Sequence, residues 1–217
     1  MINIIYEDNH LLVVEKPINI PVQKDSSNDL DLLTMLKQYL KEKYNKPGNV
    51  YLGLVHRLDR PVGGIMVFAK TSKAASRLSE QIRNGTFKKK YLAIVCGKVK
   101  DEDTLEDYLL KNTKTNTVKV DKKGKKSILK YKILDYKEGL SLVEIELITG
   151  RSHQIRVQFS SRGYPLYGDQ RYNKDSKVGE QIALFSNYIT FEHPIKKEKI
   201  KFELDNPKRK PWNIFKV

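Results

Sequence analysis

The chain has 217 residues, of which 39% are hydrophobic and 31% charged, and this apolar content is sufficient for a folded core. Its formal net charge of +15 favours a polyanionic partner such as nucleic acid, although a general enrichment in lysine would give the same balance. A single cysteine, Cys96, excludes an intrachain disulfide and a cysteine-based zinc site, and no window suits a signal peptide or a membrane span.

The first half of the chain predicts short strands followed by two helices. Two β-like runs are joined by Asp8-Asn9, and a buried strand follows the loop that contains "LVHRLDRPV". The first helix is expected to begin at Asn28 or Asp29 and the second at Thr71 or Ser72. The predicted ranges are strands at 3–7, 10–17 and 64–70 and helices at 28–44 and 71–85, with stops at Pro47-Gly48 and Gly85.

The second half predicts mostly strands. Residues 140–150 alternate apolar and acidic side chains, which is typical of a half-buried strand. The other predicted elements are a strand at 86–99 with Cys96 as a buried small hydrophobe, a lysine-rich hairpin at 101–136, a short helix within 150–163 and an antiparallel pair at 181–194 and 198–204. Strands outnumber helices and the connections are too short for βαβ crossovers. We therefore expect one α+β domain over residues 1–217 with a central mixed, mostly antiparallel sheet flanked by helices and loops.

One acidic residue remains as the candidate catalytic group after the other kinds of site are considered. His56, His153 and Asp169 could meet at a metal, but the sequence lacks the usual histidine spacings and arginines adjoin both histidines. The sequence also lacks a nucleophile elbow and a phosphate-binding glycine loop. Asp59 stands between two arginines, so it is either a loop-locking ion pair or an ionised carboxylate that acts as nucleophile or base.

Four ordered motifs resemble those of the RluA-like pseudouridine synthases. They are "NHLLVVEKPINIPV", "HRLDRPVGGIMVFAKT", "FKKKYLAIVCGKV" and "TGRSHQIRVQFSSRGYPLYGDQRY", with "FEHP" as a late fifth match. The resemblance covers roughly residues 4–203. It implies the pseudouridine synthase fold and the isomerisation of uridine to pseudouridine in a structured ribosomal or transfer RNA.

The resemblance also implies roles for individual residues. The catalytic aspartate falls on Asp59, the tyrosine that stacks on the flipped base on Tyr91, and the arginine that pairs with the aspartate on Arg151. Arg57 is expected to hold the place or the phosphate of the flipped nucleotide. The remaining RNA-binding predictions are Arg60, Arg156, Lys88, Lys89 and Lys90, with further basic clusters at 122–126 and 208–210. His56 and His153 are expected to support their loops.

No cofactor or metal is expected, and the protein is expected to be a soluble, cytoplasmic monomer. Val62-Gly63-Gly64 replaces the Thr-Ser-Gly of the family, which removes two hydroxyl groups from the loop of Asp59. The S4-type RNA-binding domain that many relatives carry is not expected. Two alternatives stay open: an RNA-binding or RNA-chaperone module without catalysis, and a metal-dependent nuclease. The sequence does not indicate which uridine is the target. It also does not distinguish attack at C6 of the base from a route through C1′ of the ribose.

Overall fold

The computed structural model describes residues 2–25 and 27–215. These residues form two compact units. The first contains the described residues up to Lys88 together with Tyr188–Leu204, and the second contains Lys89–Asn187 together with the described residues from Asp205 onward. The single domain over 1–217 stays a prediction, and its residues 1, 26, 216 and 217 lie outside the described part of the chain.

Among the described residues the chain forms three α-helices and eleven β-strands, numbered here in chain order. The helices are α1 (Leu32–Lys43), α2 (Ser72–Arg83) and α3 (Gln154–Ser160). The strands are β1 (Asn3–Glu7), β2 (Leu11–Lys16), β3 (Gly53–Leu54), β4 (Gly63–Ala69), β5 (Lys88–Cys96), β6 (Glu102–Asn112), β7 (Thr117–Val120), β8 (Lys125–Lys137), β9 (Leu140–Leu147), β10 (Leu184–Glu192) and β11 (Lys199–Glu203). A 3₁₀ turn at Trp212–Ile214, which the sequence analysis missed, follows β11.

The first unit is built on antiparallel strand pairs. β2 pairs with β1 and with β4, β3 pairs with β4, and β11 pairs with β10 from Tyr188 onward. Every residue of β4 is buried, which explains its unbroken apolar run. Side chains of β2, β4 and α2 share one hydrophobic core, which includes Val13, Val67 and Leu78. The predicted strands at 3–7, 10–17, 64–70 and 198–204 are confirmed as β1, β2, β4 and β11.

The start of α1 differs from the prediction. Asp31 caps the helix, because its carboxylate accepts hydrogen bonds from the amide and the hydroxyl group of Thr34 at 3.0 and 2.7 Å. Asn28 has a left-handed φ of 59°, and Asp29 pairs with Arg60. The predicted caps at Asn28 and Asp29 are therefore wrong by two or three residues. The predicted start of α2 is confirmed, since Thr71 caps that helix.

The second unit contains a five-stranded antiparallel sheet in the order β5-β9-β8-β6-β7. The predicted hairpin at 101–136 corresponds to β6, β7 and β8, and the predicted short helix to α3. Cys96 is only partly buried at the end of β5, so its prediction as a buried hydrophobe is wrong. The α+β prediction with mostly antiparallel pairing is confirmed.

Lysines on one face of this five-stranded sheet are paired with acids on neighbouring strands. The ammonium group of Lys132 lies 3.3 Å from Glu144, and that of Lys126 lies 2.7 Å from Glu106. Cross-strand pairs of opposite charge stabilise a sheet modestly and lower its local net charge. The lysine-rich stretch is therefore charge-balanced at these pairs and is not a uniform cationic patch.

Candidate active site

Asp59 lies on a tight turn that leads into β4. Its carbonyl oxygen accepts a hydrogen bond of 2.9 Å from the amide of Val62, which closes a four-residue turn. Leu58 is buried, Arg57 and Arg60 are exposed, and Asp59 itself is half-buried. The turn thus fixes the backbone of the acid at the edge of the first unit's core.

A buried lysine lies beneath this turn. The ammonium group of Lys16, at the end of β2, donates hydrogen bonds to the carbonyl oxygens of Pro17, Arg60 and Val62 at 2.9, 2.9 and 2.8 Å. A lysine has three donors, and all three are used. The residue is only 1% exposed. Burial lowers the pKa of Lys16 to about 7, whereas the negative charge of Asp59 opposes this shift.

Lys16 supplies hydrogen bonds in the loop where two family hydroxyls are missing. Val62 and Gly63 stand in place of threonine and serine, which removes two hydroxyl groups that could hydrogen-bond in the loop of Asp59. Two of the Lys16 acceptors, Arg60 and Val62, flank Pro61 immediately after the acid. Lys16 was not among the predicted site residues, because the Lys-Pro end of the first motif marks its position but not these distant contacts.

His56 supports the same loop from the other side. Its Nε2 atom accepts a hydrogen bond of 3.0 Å from the amide of Val67 on β4. The imidazole ring also contacts Phe87, with ring centroids 5.5 Å apart, and the residue is 8% exposed. This burial and these contacts agree with the predicted structural role of His56.

Arg60 ties the turn to the segment that precedes α1. Its guanidinium group donates to the carbonyl oxygen of Asn19 at 3.2 Å and to the hydroxyl group of Ser27 at 3.0 Å, and it pairs with Asp29. Its side chain is nevertheless 43% exposed. An arginine has five donors, so these contacts leave the predicted RNA contact of Arg60 possible in chemical terms.

The predicted stacking residue, Tyr91, lies in the second unit on β5. It is opposite Ile145 of β9 in the antiparallel register and is 5% exposed. The alternation of a strand places Ala93 and Val95 on the same face as Tyr91, as the sequence predicted. Its role in stacking on a base stays a prediction.

Arg151 lies on the exposed turn between β9 and α3. Its Nε atom donates to the carbonyl oxygen of Lys126 at 3.2 Å. The buried side chain of Gln154 accepts hydrogen bonds from the amide of Arg151 at 3.0 Å and from the hydroxyl group of Thr149 at 2.9 Å. Gln154 therefore orients the turn that carries Arg151. Gln154 lies within the fourth motif but was not among the predicted site residues.

His153 connects this turn to the rest of the second unit. Its Nδ1 atom lies 2.7 Å from the hydroxyl group of Tyr172, and its φ of 50° places its backbone in the left-handed region. The Tyr172 hydroxyl group also accepts a hydrogen bond from the amide of Val118 on β7. These contacts agree with the predicted supporting role of His153.

Arg156 was predicted as an RNA contact, but the structure places it in a buried ion pair. Its Nε and Nη2 atoms donate to the two carboxylate oxygens of Asp169 at 2.8 and 2.6 Å. The two side chains are 7% and 0% exposed. The planar fork of arginine matches a carboxylate in this geometry. Arg156 therefore holds the loop of Asp169 and presents no open cation to an RNA phosphate.

The three consecutive lysines differ from one another. Lys88 is exposed, whereas Lys89 and Lys90 are partly buried, and the ammonium group of Lys90 lies 3.2 Å from Glu144. Alternation along β5 places Lys89 on the face of Tyr91 and Lys90 on the opposite face. The basic cluster of the sequence is thus two sets of side chains with different surroundings.

The predicted site residues are divided between the units. Arg57, Asp59, Arg60 and Lys88 belong to the first unit, whereas Lys89, Lys90, Tyr91, Arg151 and Arg156 belong to the second. The pairing of Asp59 with Arg151 stays a prediction. The described residues contain no group of three or more His, Cys, Asp or Glu side chains that could hold a metal ion. None of the described helices is both long and apolar enough to cross a membrane.

A family model described as RNA pseudouridylate synthase matches residues 10–161, well over half of the chain. This chain belongs to the RNA pseudouridylate synthase family. The match includes Asp59, Tyr91 and Arg151, and the RluA-like relatives confirm the resemblance that the motifs carried. The protein is accordingly an RNA pseudouridine synthase, that is, an isomerase that acts on RNA.

Several bacterial relatives are similar over most of the chain. An uncharacterized RNA pseudouridine synthase, YhcT, of Bacillus subtilis is 34% identical over 210 residues, which are 95% of this chain and 69% of the relative. Ribosomal large subunit pseudouridine synthase C of Vibrio parahaemolyticus is 36% identical over 201 residues, covering 88% and 61%. Ribosomal large subunit pseudouridine synthase D of Zymomonas mobilis is 31% identical over 220 residues, covering 95% and 69%.

Two solved human structures share the fold. Human RNA Pseudouridylate Synthase Domain Containing 4 superposes with a TM-score of 0.79 at 21% identity, covering 94% of this chain and 88% of that one. Human RNA Pseudouridylate Synthase Domain Containing 1 gives 0.75 at 23% identity, covering 95% and 84%. The predicted pseudouridine synthase fold is confirmed.

Proposed function

We propose that this synthase converts a uridine of large-subunit ribosomal RNA to pseudouridine, with the Asp59 carboxylate as the reacting group. Two of the relatives named above carry large-subunit names, which favours ribosomal over transfer RNA as the substrate. We propose further that it works as a monomer in the cytoplasm.

The reaction rearranges one nucleotide without adding or removing atoms. The N1–C1′ bond breaks, the uracil turns, and a C5–C1′ bond forms, while C5 loses a proton and N1 gains one. A carboxylate can begin this exchange by attack at C6 of the base or at C1′ of the ribose, and neither route requires a redox cofactor. The role of Asp59 in the proposal is to supply that carboxylate.

The contacts of Lys16 are the observation that supports this role most strongly. A buried ammonium group donates three hydrogen bonds to backbone carbonyls at the turn of Asp59 and at Pro17. Reacting groups must be held close to a productive geometry, and fixed supporting contacts achieve this. A surface aspartate that only locks a loop would not require a buried cation beneath its own turn.

Tyr91 and Arg151 complete the proposed reaction centre. A uridine within a duplex must leave its stack before a side chain can reach C1′ or C6. An aromatic ring that receives the base replaces part of the lost stacking, which is worth about 1–3 kcal/mol per base. A guanidinium group keeps a carboxylate ionised and oriented, which is the role proposed for Arg151.

Substitution of Asp59 tests the proposal directly. In Asp59→Asn, pseudouridine formation in unmodified large-subunit transcripts should be abolished, while the Kd for the same RNA should stay close to the wild-type value. Asp205→Asn, at an exposed acid of the second unit, is the matched control and should keep full activity. Turnover by Asp59→Asn would remove Asp59 from the mechanism.

Excess chelator separates the remaining alternatives in the same assay. Pseudouridine formation that continues in chelator excludes a metal-dependent nuclease. Wild-type protein that binds the transcript but forms no pseudouridine would instead indicate an RNA-binding module without catalysis. Transfer RNA is included as a second substrate, so that modification there and not in ribosomal RNA would correct the proposed target.

A further inference from the structure

Lys89 is a partly buried cation without a partner in the second unit. The structure gives its ammonium group no hydrogen bond and no ion pair with any described residue, whereas the adjacent Lys90 contacts Glu144. The acids of β9 do not serve Lys89, because Glu144 lies on the face of Lys90 and Glu146 is opposite Lys90 in the register. Burial also lowers the pKa of Lys89.

Open space adjoins this ammonium group at Gly150. A Cβ atom on Gly150 would lie 3.7 Å from the Lys89 Nζ atom, and apart from the adjoining residues Thr149 and Arg151 no other described residue has an atom within 4 Å of that position. The backbone of Gly150 is not in the left-handed region that favours glycine. A side chain is therefore tolerated by the backbone here, and its absence leaves room beside the cation.

The positive charge beside this space favours an anionic ligand. Arg151 follows Gly150 directly in the chain and is exposed, so a second cationic residue adjoins the glycine that lies beside Lys89. Like charges repel and an unpaired, partly desolvated cation destabilises a fold. Such groups are retained where a ligand of opposite charge binds.

The position of the opening relative to Tyr91 indicates which anion. Lys89 and Tyr91 are two residues apart on one face of β5, which corresponds to roughly 7 Å along a strand. We propose that Lys89, with the space over Gly150, binds a backbone phosphate of the nucleotide whose base stacks on Tyr91. This proposal rests on the proposed function, and it assigns to one lysine a contact that a general basic patch would spread over many.

The proposal gives a paired signature for Lys89→Met. Without RNA the variant should be at least as stable as wild type, because an unpaired desolvated charge has been removed. Its affinity for RNA should fall about tenfold, since a hydrogen bond to a charged group is lost. The slope of log K against log salt should decrease by about one, as expected for a single phosphate contact.

Three further variants complete the experiment, with an unmodified large-subunit transcript as the probe. Lys89→Arg keeps the charge and should retain most of the affinity. Gly150→Val fills the opening and should weaken binding although Lys89 is intact. Lys132→Met, at an exposed lysine paired with Glu144, is the control and should behave as wild type.

The readouts are Tm without RNA, Kd as a function of salt, and kcat and KM for pseudouridine formation. A Lys89→Met variant with wild-type Kd and salt slope would overturn the proposal, and so would a loss in kcat with KM and Kd unchanged. Failure of the wild-type protein to form pseudouridine would refute the proposed function only, because Kd and its salt slope still decide the role of Lys89.

Discussion

Arg156→Met distinguishes a scaffold residue from an RNA contact. The substitution leaves the Asp169 carboxylate, which is 0% exposed, without the two hydrogen bonds of 2.8 and 2.6 Å that it now accepts from arginine. Removing one partner of a buried ion pair generally destabilises a protein by about 3–5 kcal/mol. For a chain of this size the loss should lower Tm by roughly 10 °C.

Urea unfolding followed by circular dichroism measures the loss, with two companion variants. Arg156→Lys keeps the charge but loses the fork and should recover only part of the stability. The double variant Arg156→Gln/Asp169→Asn should lose less than the sum of its single variants, because no unpaired charge remains. RNA affinity, measured well below each Tm, should keep its wild-type salt slope.

Two results would contradict this reasoning. A loss of less than 1 kcal/mol in Arg156→Met would show that the pair contributes little to the fold. A salt slope reduced by about one would instead restore the RNA contact that the sequence predicted.

The other predictions concern the dependence of stability on pH. Hydrogen bonds from Lys43, Lys70, Tyr44 and Tyr39 outweigh burial and lower the pKa of Glu7 from 4.5 to about 2. Its contribution, at most about 3 kcal/mol before solvent screening, should be present above pH 4.5 and lost as the pH falls toward 2. In urea-unfolding experiments at several pH values, Glu7→Gln should lose less free energy of unfolding between pH 4.5 and pH 2 than the wild type. An equal loss in both proteins would contradict the role of Glu7. Burial lowers the pKa of Lys16 to about 7 from 10.5, so between these values the unfolded state binds more protons. The free energy of unfolding should therefore rise with pH by up to about 1.4 kcal/mol per unit, and Lys16→Met should lack that rise. If the free energy of unfolding changes equally with pH in the wild type and in Lys16→Met between pH 7 and 9, the lowered pKa of Lys16 would be refuted.

Local signals in the sequence predicted most of the elements. The continuous apolar run of β4, the alternation of β9 and the Thr71 cap of α2 each depend on a few neighbouring residues, and the structure confirms them. The start of α1 was missed because 28–31 contain three possible caps. Which of them binds an amide depends on the path of the chain, and Asp29 is drawn to Arg60 instead.

Contacts between residues far apart in the chain have no local signal in the sequence. Arg156 looked like an RNA contact because its motif is basic, and only the fold brings Asp169 to its guanidinium group. Lys16 is a lysine before a proline, and nothing local shows that its ammonium group reaches carbonyls 44 and 46 positions downstream. Asp59 was singled out by the residues around it, Tyr91 and Arg151 were selected by resemblance, and the joint action of the three stays a prediction.

Lys16 holds the loop of Asp59 through backbone carbonyl oxygens, which every amino acid possesses. Hydrogen bonds of this kind do not depend on side-chain identity, so a replacement at Pro61 that keeps the backbone path should preserve them. A saturation library should consequently tolerate many replacements at Pro61 and few at Lys16. The hydrogen bonds that hold this loop thus depend on one side chain that lies more than forty positions upstream.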